Sequence, residues 1–278
     1  MDNSKGRYWD KPWGLVSSCT RCSEGCRNCW ALAMEKRFHK GEEGKTIVHP
    51  SRLDIPLRTR KPTVFAIWND LFHEDVPDEF INSAYRVMRD EIRHTFLVLT
   101  KRPERMTKIE RITGLEIGLI DNIWHGLTVC NQQEADEKIP ELLKVPGKHF
   151  LSIEPMLGPV NISRFMAHSI HCIKCHPGGS PCNCSRPDAV VLGGETGPGA
   201  RPMDPDWPRS VRDQCQAAGV PFFFKQWGEW LPAFMVDDET KYKDQIIDGT
   251  IMCRVGSKAA GRLLDGKEYN ELKWEAKL

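Results

Sequence analysis

Apolar and polar positions fall in blocks along this chain. The short apolar runs Val64–Trp68, Thr95–Leu99, Ile123–Val129, His149–Ile153, Ala189–Leu192 and Phe222–Phe224 have the length of strands, too short for buried helices. Between them the spacing changes. Pro77 opens a segment in which Phe80, Ala84, Val87 and Met88 recur at helical intervals, and Pro103 starts another. Ala135, Ile139, Leu142 and Leu143 mark a third, which Pro140 is expected to bend or restart. A fourth runs from about Pro208 to Ala218, and residues 13–18 supply a first short strand.

Strands that alternate with helices imply right-handed crossovers and a parallel sheet. About seven such units predict an α/β fold, a partial or complete (β/α) barrel of the TIM type, with an open doubly wound sheet as the competitor. The barrel is expected over residues 1–228, interrupted by a Cys-rich insertion at 168–187. The alternation stops near Trp227, so residues 229–278 read as an irregular extension wrapped on the barrel, its Trp230 and Trp274 packed rather than stacked on a base. Either architecture gathers its chemistry at the carboxyl ends of the strands. Polar residues stand there in succession: Asn69 and Asp70, then Thr100, Lys101 and Arg102, then Asn131, Glu154, Glu195, and Lys225 with Gln226. Any one can cap a helix or make a turn. Their recurrence marks a lined pocket.

At 278 residues one main domain is expected, and 39 Lys and Arg against 38 Asp and Glu leave a net charge of +1, so there is no bulk attraction to nucleic acid. Arg52, Arg58, Arg60 and Lys61 read as a solvated face. No run approaches bilayer length and residues 1–5 lack a secretion signal's apolar core, which predicts a cytoplasmic protein away from membranes. Eleven cysteines suggest a disulfide framework until their spacing is read, for eight lie in two tight groups.

The first group is Cys19, Cys22, Cys26 and Cys29. Two three-thiolate sets can be drawn, Cys22, Cys26 and Cys29 at C-x3-C-x2-C or Cys19, Cys26 and Cys29 at C-x6-C-x2-C. Such spacing suits zinc or an iron-sulfur cluster. Three thiolates on a four-iron cluster leave one iron open, and C-x3-C-x2-C is the spacing of radical S-adenosylmethionine enzymes, in which that iron is chelated by the methionyl group. There an aromatic residue usually precedes the last cysteine; here Trp30 follows it. A zinc knuckle closed by all four thiolates, or reduced thiols without metal, are the plainer alternatives. Helix formers from Ala31 to Phe38 put Cys29 near a helix N-terminus, and Gly25 favours a tight loop.

The second group, Cys172, Cys175, Cys182 and Cys184, lies in a Gly- and Pro-rich insertion too small for a core, where structural zinc would act as the staple. Cys130 and Cys215 read as packed residues, and His73 and His125 lack evident partners. Gly193, Gly194 and Glu195 end a strand, where glycines let backbone approach a ligand closely. A Gly-Gly-Glu triplet also holds the cofactor's amino group in radical enzymes, but after an early strand rather than a late one.

Six phrases, GCRNCW at 25–30, NDLFHEDVP at 69–77, LTKRP at 99–103, EPMLGP at 154–159, GGETGPGARP at 193–202 and FFFKQWG at 222–228, together resemble the phage-associated three-cysteine-motif family of phages and bacteria. The resemblance runs in order over nearly the whole chain. The family's cysteines fall on Cys19, Cys26 and Cys29, while Cys22 stands where the family has an apolar residue, so the third ligand stays open between Cys19 and Cys22. The insertion at 171–184 is not a general family feature. The resemblance implies a barrel of the radical S-adenosylmethionine type, and the phage setting implies modification of a nucleobase or nucleotide.

The expected function is therefore an iron-sulfur enzyme that makes a 5'-deoxyadenosyl radical from S-adenosylmethionine, with a [4Fe–4S] cluster, structural Zn2+ and a reductant protein such as a flavodoxin or ferredoxin. Asp70, Lys101, Asn131, Glu154, Gly193, Gly194 and Glu195 are expected at the cofactor, and Arg102, Lys225 and Gln226 at the substrate. The alternative is a zinc-stabilised nucleic-acid-binding or adaptor protein, which has no need of a lined pocket.

Overall fold

A computed structural model of the protein describes residues 6–33, 45–113, 120–166 and 186–274. Its strands are β1 (Lys11–Trp13), β2 (Val16–Ser17), β3 (Ile47–Val48), β4 (Val64–Ile67), β5 (Thr95–Thr100) and β6 (Ile123–Thr128). They continue with β7 (Lys148–Ile153), β8 (Ala189–Gly193), β9 (Phe222–Gln226), β10 (Trp230–Pro232), β11 (Asp244–Ile247) and β12 (Thr250–Arg254). A seven-stranded sheet runs in the order β1-β4-β5-β6-β7-β8-β9 with every neighbour parallel. The sheet is curled and open, a half-barrel. Strands β10, β12 and β11 form a small antiparallel sheet.

Strict alternation gives the curled sheet two cores. Phe65, Phe96, Val98, Leu151, Val190 and Phe224 face the helix layer, where the helix Asp78–Asp90 buries Phe80, Ile81, Ala84, Tyr85 and Met88 against them. The intervening residues Val64, Leu97, Phe150, Val191 and Phe223 fill a separate inner core with Tyr8 and Trp274. Trp274 is 1% exposed and donates its indole N–H to the Tyr8 carbonyl at 2.6 Å. A side chain of that size buried so fully contributes about 3–5 kcal/mol. Residues 269–271 run antiparallel beside β9, the Phe224 amide donating to the Tyr269 carbonyl and the Glu271 amide to that of Phe222. The open side of the sheet is thus filled by two segments distant in sequence. Trp227 and Trp230 are buried as well.

Two helix boundaries differ from expectation. Helix Gln132–Leu142 continues through Pro140, because Pro140 and the Asp136 carbonyl that loses its partner both lie on the solvent side. Helix Asp206–Ala218 starts two residues before Pro208, which sits in its first turn and needs no N–H bond there. Residues 30–33 are helical, and the rest of the expected helix to Phe38 lies outside the described residues, as do Cys172, Cys175, Cys182 and Cys184. No helix among the described residues is long and apolar enough to cross a membrane.

His125 is one internal cost of this packing. It is fully buried on the helix side of β6, its ring parallel to that of Tyr85 at 5.9 Å, and neither ring nitrogen has a hydrogen-bond partner. Burial, and secondarily the neighbouring His149, push its pKa from 6.5 down to about 3. The folded-state pKa is depressed, so stability is full above pH 6.5 and drains away as pH falls toward 3. Between pH 7 and pH 5 the wild-type protein should lose about 2 kcal/mol more than His125→Phe in urea unfolding. Equal losses would show that the ring protonates within the fold.

Candidate active site at the carboxyl ends of the strands

The inner face changes character along the strands. Near the amino ends it is aromatic and aliphatic; toward the carboxyl ends it presents Thr128, Ser152, Glu154 and Lys225 to a cavity of about 460 Å3. The floor is Tyr8, Leu97 and Phe150, and the roof is the cysteine loop. Lys225 Nζ donates to Glu154 Oε1 at 2.7 Å, and Gln226 Nε2 reaches the same oxygen only at 3.5 Å. A Cβ on Gly193 would make only ordinary contact with that carboxylate, 3.4 Å from Oε1.

The loop is held on both flanks by guanidinium groups. On one side Asp70 is the hub. Its Oδ1 accepts from the Thr100 hydroxyl at 2.7 Å and the Phe72 amide at 3.0 Å, and its Oδ2 accepts from Arg102 Nη1 at 2.9 Å. Arg102 then donates to Glu74 at 2.8 Å, to the Thr20 hydroxyl at 2.9 Å and to the Thr20 carbonyl at 3.2 Å, with Cys19 Sγ at 3.8 Å. His73, without an evident partner in the sequence, takes part too, with Nε2 2.8 Å from the Thr20 hydroxyl and Nδ1 3.0 Å from that of Thr46.

On the other flank Glu195 is the hub. Its Oε2 accepts from the Arg201 amide at 2.9 Å, Arg201 Nε at 2.8 Å and Asn28 Nδ2 at 3.1 Å, while Oε1 accepts from Arg201 Nη2 at 2.7 Å. These bonds outweigh burial and hold the Glu195 carboxyl below its ordinary pKa. Arg201 also donates to the Glu24 carboxylate at 2.7 Å and the Glu24 carbonyl at 3.2 Å, and Asn28 donates to the Gly199 carbonyl at 2.8 Å. Gly194 serves backbone packing, for a Cβ there would overlap the Trp227 carbonyl, and one on Gly228 would overlap that of Glu195. Asn131 is spent on a helix N-cap, accepting from the Glu134 amide at 2.9 Å.

All four loop thiols line the cavity, Cys26 buried, Cys19 and Cys29 half-buried and Cys22 exposed. A hydrogen bond from Cys22 draws the Cys26 pKa down to about 4, and burial followed by the Asp70 carboxylate pushes Cys19 up to about 11. A fifth thiol, Cys130, lies under the loop so closely that a Cβ on Gly25 would overlap its sulfur, and burial raises its pKa to about 12. Lys101 stands among these sulfurs. Burial lowers its pKa, but the thiols of Cys130, Cys26, Cys29 and Cys22 more than offset this and raise it, so the group stays a cation. Among the described residues no three His, Cys, Asp or Glu side chains converge as a single-ion site.

Sequence reasoning thus pointed to Asp70, Lys101, Arg102, Glu154, Gly194, Glu195 and Lys225, all of which line this cavity, and to Asn131, Gly193 and Gln226, which do not. It passed over Asn28 and Arg201, and it read Cys130 as packed, which it is, though the packing is against the cysteine loop. Arg201 carries one signal, an Arg six residues past an acid in a Gly-rich turn; Asn28 carries none beyond its place between two cysteines.

Fold and rim together define a parallel α/β half-barrel with a cysteine loop stapled over its carboxyl-end cavity. The chain belongs to the family described as Protein of unknown function (DUF5131), whose match spans residues 3–273. Neither curated proteins nor solved structures gave a match.

Arg201→Ala removes one staple. Global stability should fall by about 1–3 kcal/mol, and alkylation of the buried Cys26 in metal-free protein should speed up about tenfold. Arg201→Lys should not restore the wild-type rate, because an ammonium cannot bridge Glu195 and Glu24 in a fork. Unchanged alkylation would mean that the loop holds itself.

Proposed function

We propose that the protein is an iron-sulfur enzyme of the radical S-adenosylmethionine type, acting on a substrate admitted to the carboxyl-end cavity. The observation that carries this reading is the position of Cys19, Cys22, Cys26 and Cys29 on the rim of that cavity, in a loop already held by Arg102, Arg201 and Asn28. A loop built around structural zinc depends on the metal for its shape. This one is shaped by protein contacts, which leaves its thiols for another purpose.

The donor set, soft thiolates within eleven residues, fits a multi-iron cluster. Tetrahedral zinc would draw its thiolates to about 3.8 Å from one another. A cluster spreads its thiolates over separate irons. Cys26 and Cys29 would be ligands with either Cys19 or Cys22, and the cations Lys101 and Arg102 offset the negative charge of such a centre. A bound cluster would supply the electron that cleaves the sulfonium of S-adenosylmethionine to give the 5'-deoxyadenosyl radical. The chain's own part is to bind and orient. Glu154 with Lys225 offers an acceptor and a cation on the inner face, and Tyr8, Leu97 and Phe150 keep water from the floor. Asp70 and Glu195 act on the loop rather than on a ligand, because their oxygens are taken by Arg102 and Arg201.

Anaerobically reconstituted and reduced protein should convert S-adenosylmethionine to 5'-deoxyadenosine, read by chromatography. Cys26→Ala and Cys29→Ala should lose both the cluster and the product, and of Cys19→Ala and Cys22→Ala only one should. No 5'-deoxyadenosine from protein carrying about four irons per chain would refute the reading.

A further inference from the structure

One wall of the cavity mouth is made of indoles. Trp68, one residue past β4, packs edge-on against Trp30 with ring centroids 5.2 Å apart and against Trp9 at 5.9 Å. All three line the cavity, and Trp30 is 49% exposed beside Cys29. Leaving that much indole in water at the lip of a cavity gives up burial that the fold has taken for Trp13, Trp227 and Trp274. Arg7, itself exposed, lies over the Trp9 ring at 4.7 Å.

Two ligand chemistries match an indole wall, a cation held over the rings or a flat ring stacked on them. The surrounding charge decides between them. Arg7 already occupies the Trp9 face, Lys101 stands further in, and the acids that line the cavity among the described residues are each paired, Glu154 with Lys225 at 2.7 Å, Asp70 with Arg102 and Glu195 with Arg201. A second cation would enter against positive charge. A flat ring carrying an anion would be welcomed, its face on the exposed Trp30 ring and its edge against Trp68, which stands at 75° to Trp30, its polar groups toward Ser152, Thr196 and the Glu154–Lys225 pair, and its anion directed to Arg7 beside Trp9. The cavity's 460 Å3 lies within the range of small-molecule sites.

We propose that the Trp9, Trp30 and Trp68 wall is the seat of the substrate's nucleobase, with Arg7 receiving the attached phosphate. The seat deepens the reading of the cavity as an active site and does not depend on how the base is then altered. A net charge of +1 agrees with recognition through stacking and one phosphate rather than through a long polyanion.

Reconstituted protein, with iron content measured for every variant, would be titrated calorimetrically with the four deoxynucleoside monophosphates, their nucleosides, a twelve-nucleotide single strand, the same strand made abasic, and S-adenosylmethionine. At least one monophosphate or the intact strand should bind. Trp30→Ala should weaken that binding about tenfold or more while Trp30→Phe keeps most of it, and Arg7→Ala should weaken the monophosphate but not its nucleoside. Tighter binding of the strand than of any monophosphate, lost in the abasic form, would identify an extruded base as the source. The inference is overturned if no base-bearing ligand binds, if the abasic strand binds as well as the intact one, if Trp30→Ala changes no affinity, or if its effect is confined to S-adenosylmethionine. Base binding through Trp30 without any 5'-deoxyadenosine formation would sink the proposed reaction and leave this seat standing.

Discussion

Two guanidinium–carboxylate pairs, Arg102 with Asp70 and Arg201 with Glu195, govern the arrangement of the site. In both the acid sits past the end of a parallel strand and is largely buried, while the arginine reaches up to hold the cysteine loop. Isolated surface ion pairs are worth little. These differ in being multiply hydrogen-bonded and anchored on rigid elements, so each fork fixes direction as well as distance. An eleven-residue loop with four thiols and little apolar content is thereby laid across a cavity instead of wandering in solvent.

The cavity itself follows from the parity of the strands. Every second residue faces inward, and those inward positions pass from apolar in the lower layers to Thr128, Ser152, Glu154 and Lys225 at the top. A closed barrel would fill such an interior with layers of side chains from all its strands. Here Tyr8 and Trp274 fill the lower part from the open side, and the upper part remains hollow. The hollow is a consequence of aromatic packing beneath it as much as of polar residues around it.

Strand positions were legible because apolar runs and helical spacing are local signals. Asp70, Lys101, Arg102, Glu154, Glu195 and Lys225 were legible as a set for the same reason, each coming just after such a run. Their individual tasks were not, since these depend on partners far away in sequence. Asn131 and Glu195 both follow strands as polar residues, yet one caps a helix and the other is saturated by Arg201 and Asn28, which is 167 residues away. Gly194 illustrates the limit from the other side. A glycine at a strand end signals close approach, but only the fold shows that what approaches is the Trp227 carbonyl. Pro140 did not restart the helix, which runs two residues past it to Leu142, and the Asp136 carbonyl it leaves without a partner belongs to an exposed residue.

The proposed reaction requires the protein-stapled loop to present an incompletely ligated iron centre to the cavity. Electron paramagnetic resonance of the reduced, reconstituted protein, recorded before and after addition of S-adenosylmethionine, tests it most directly. The expected spectrum is that of one four-iron cluster per chain, with g-values that shift when the cofactor is added. A single zinc in the loop with no such signal, or a cluster signal that the cofactor leaves unmoved, would contradict it.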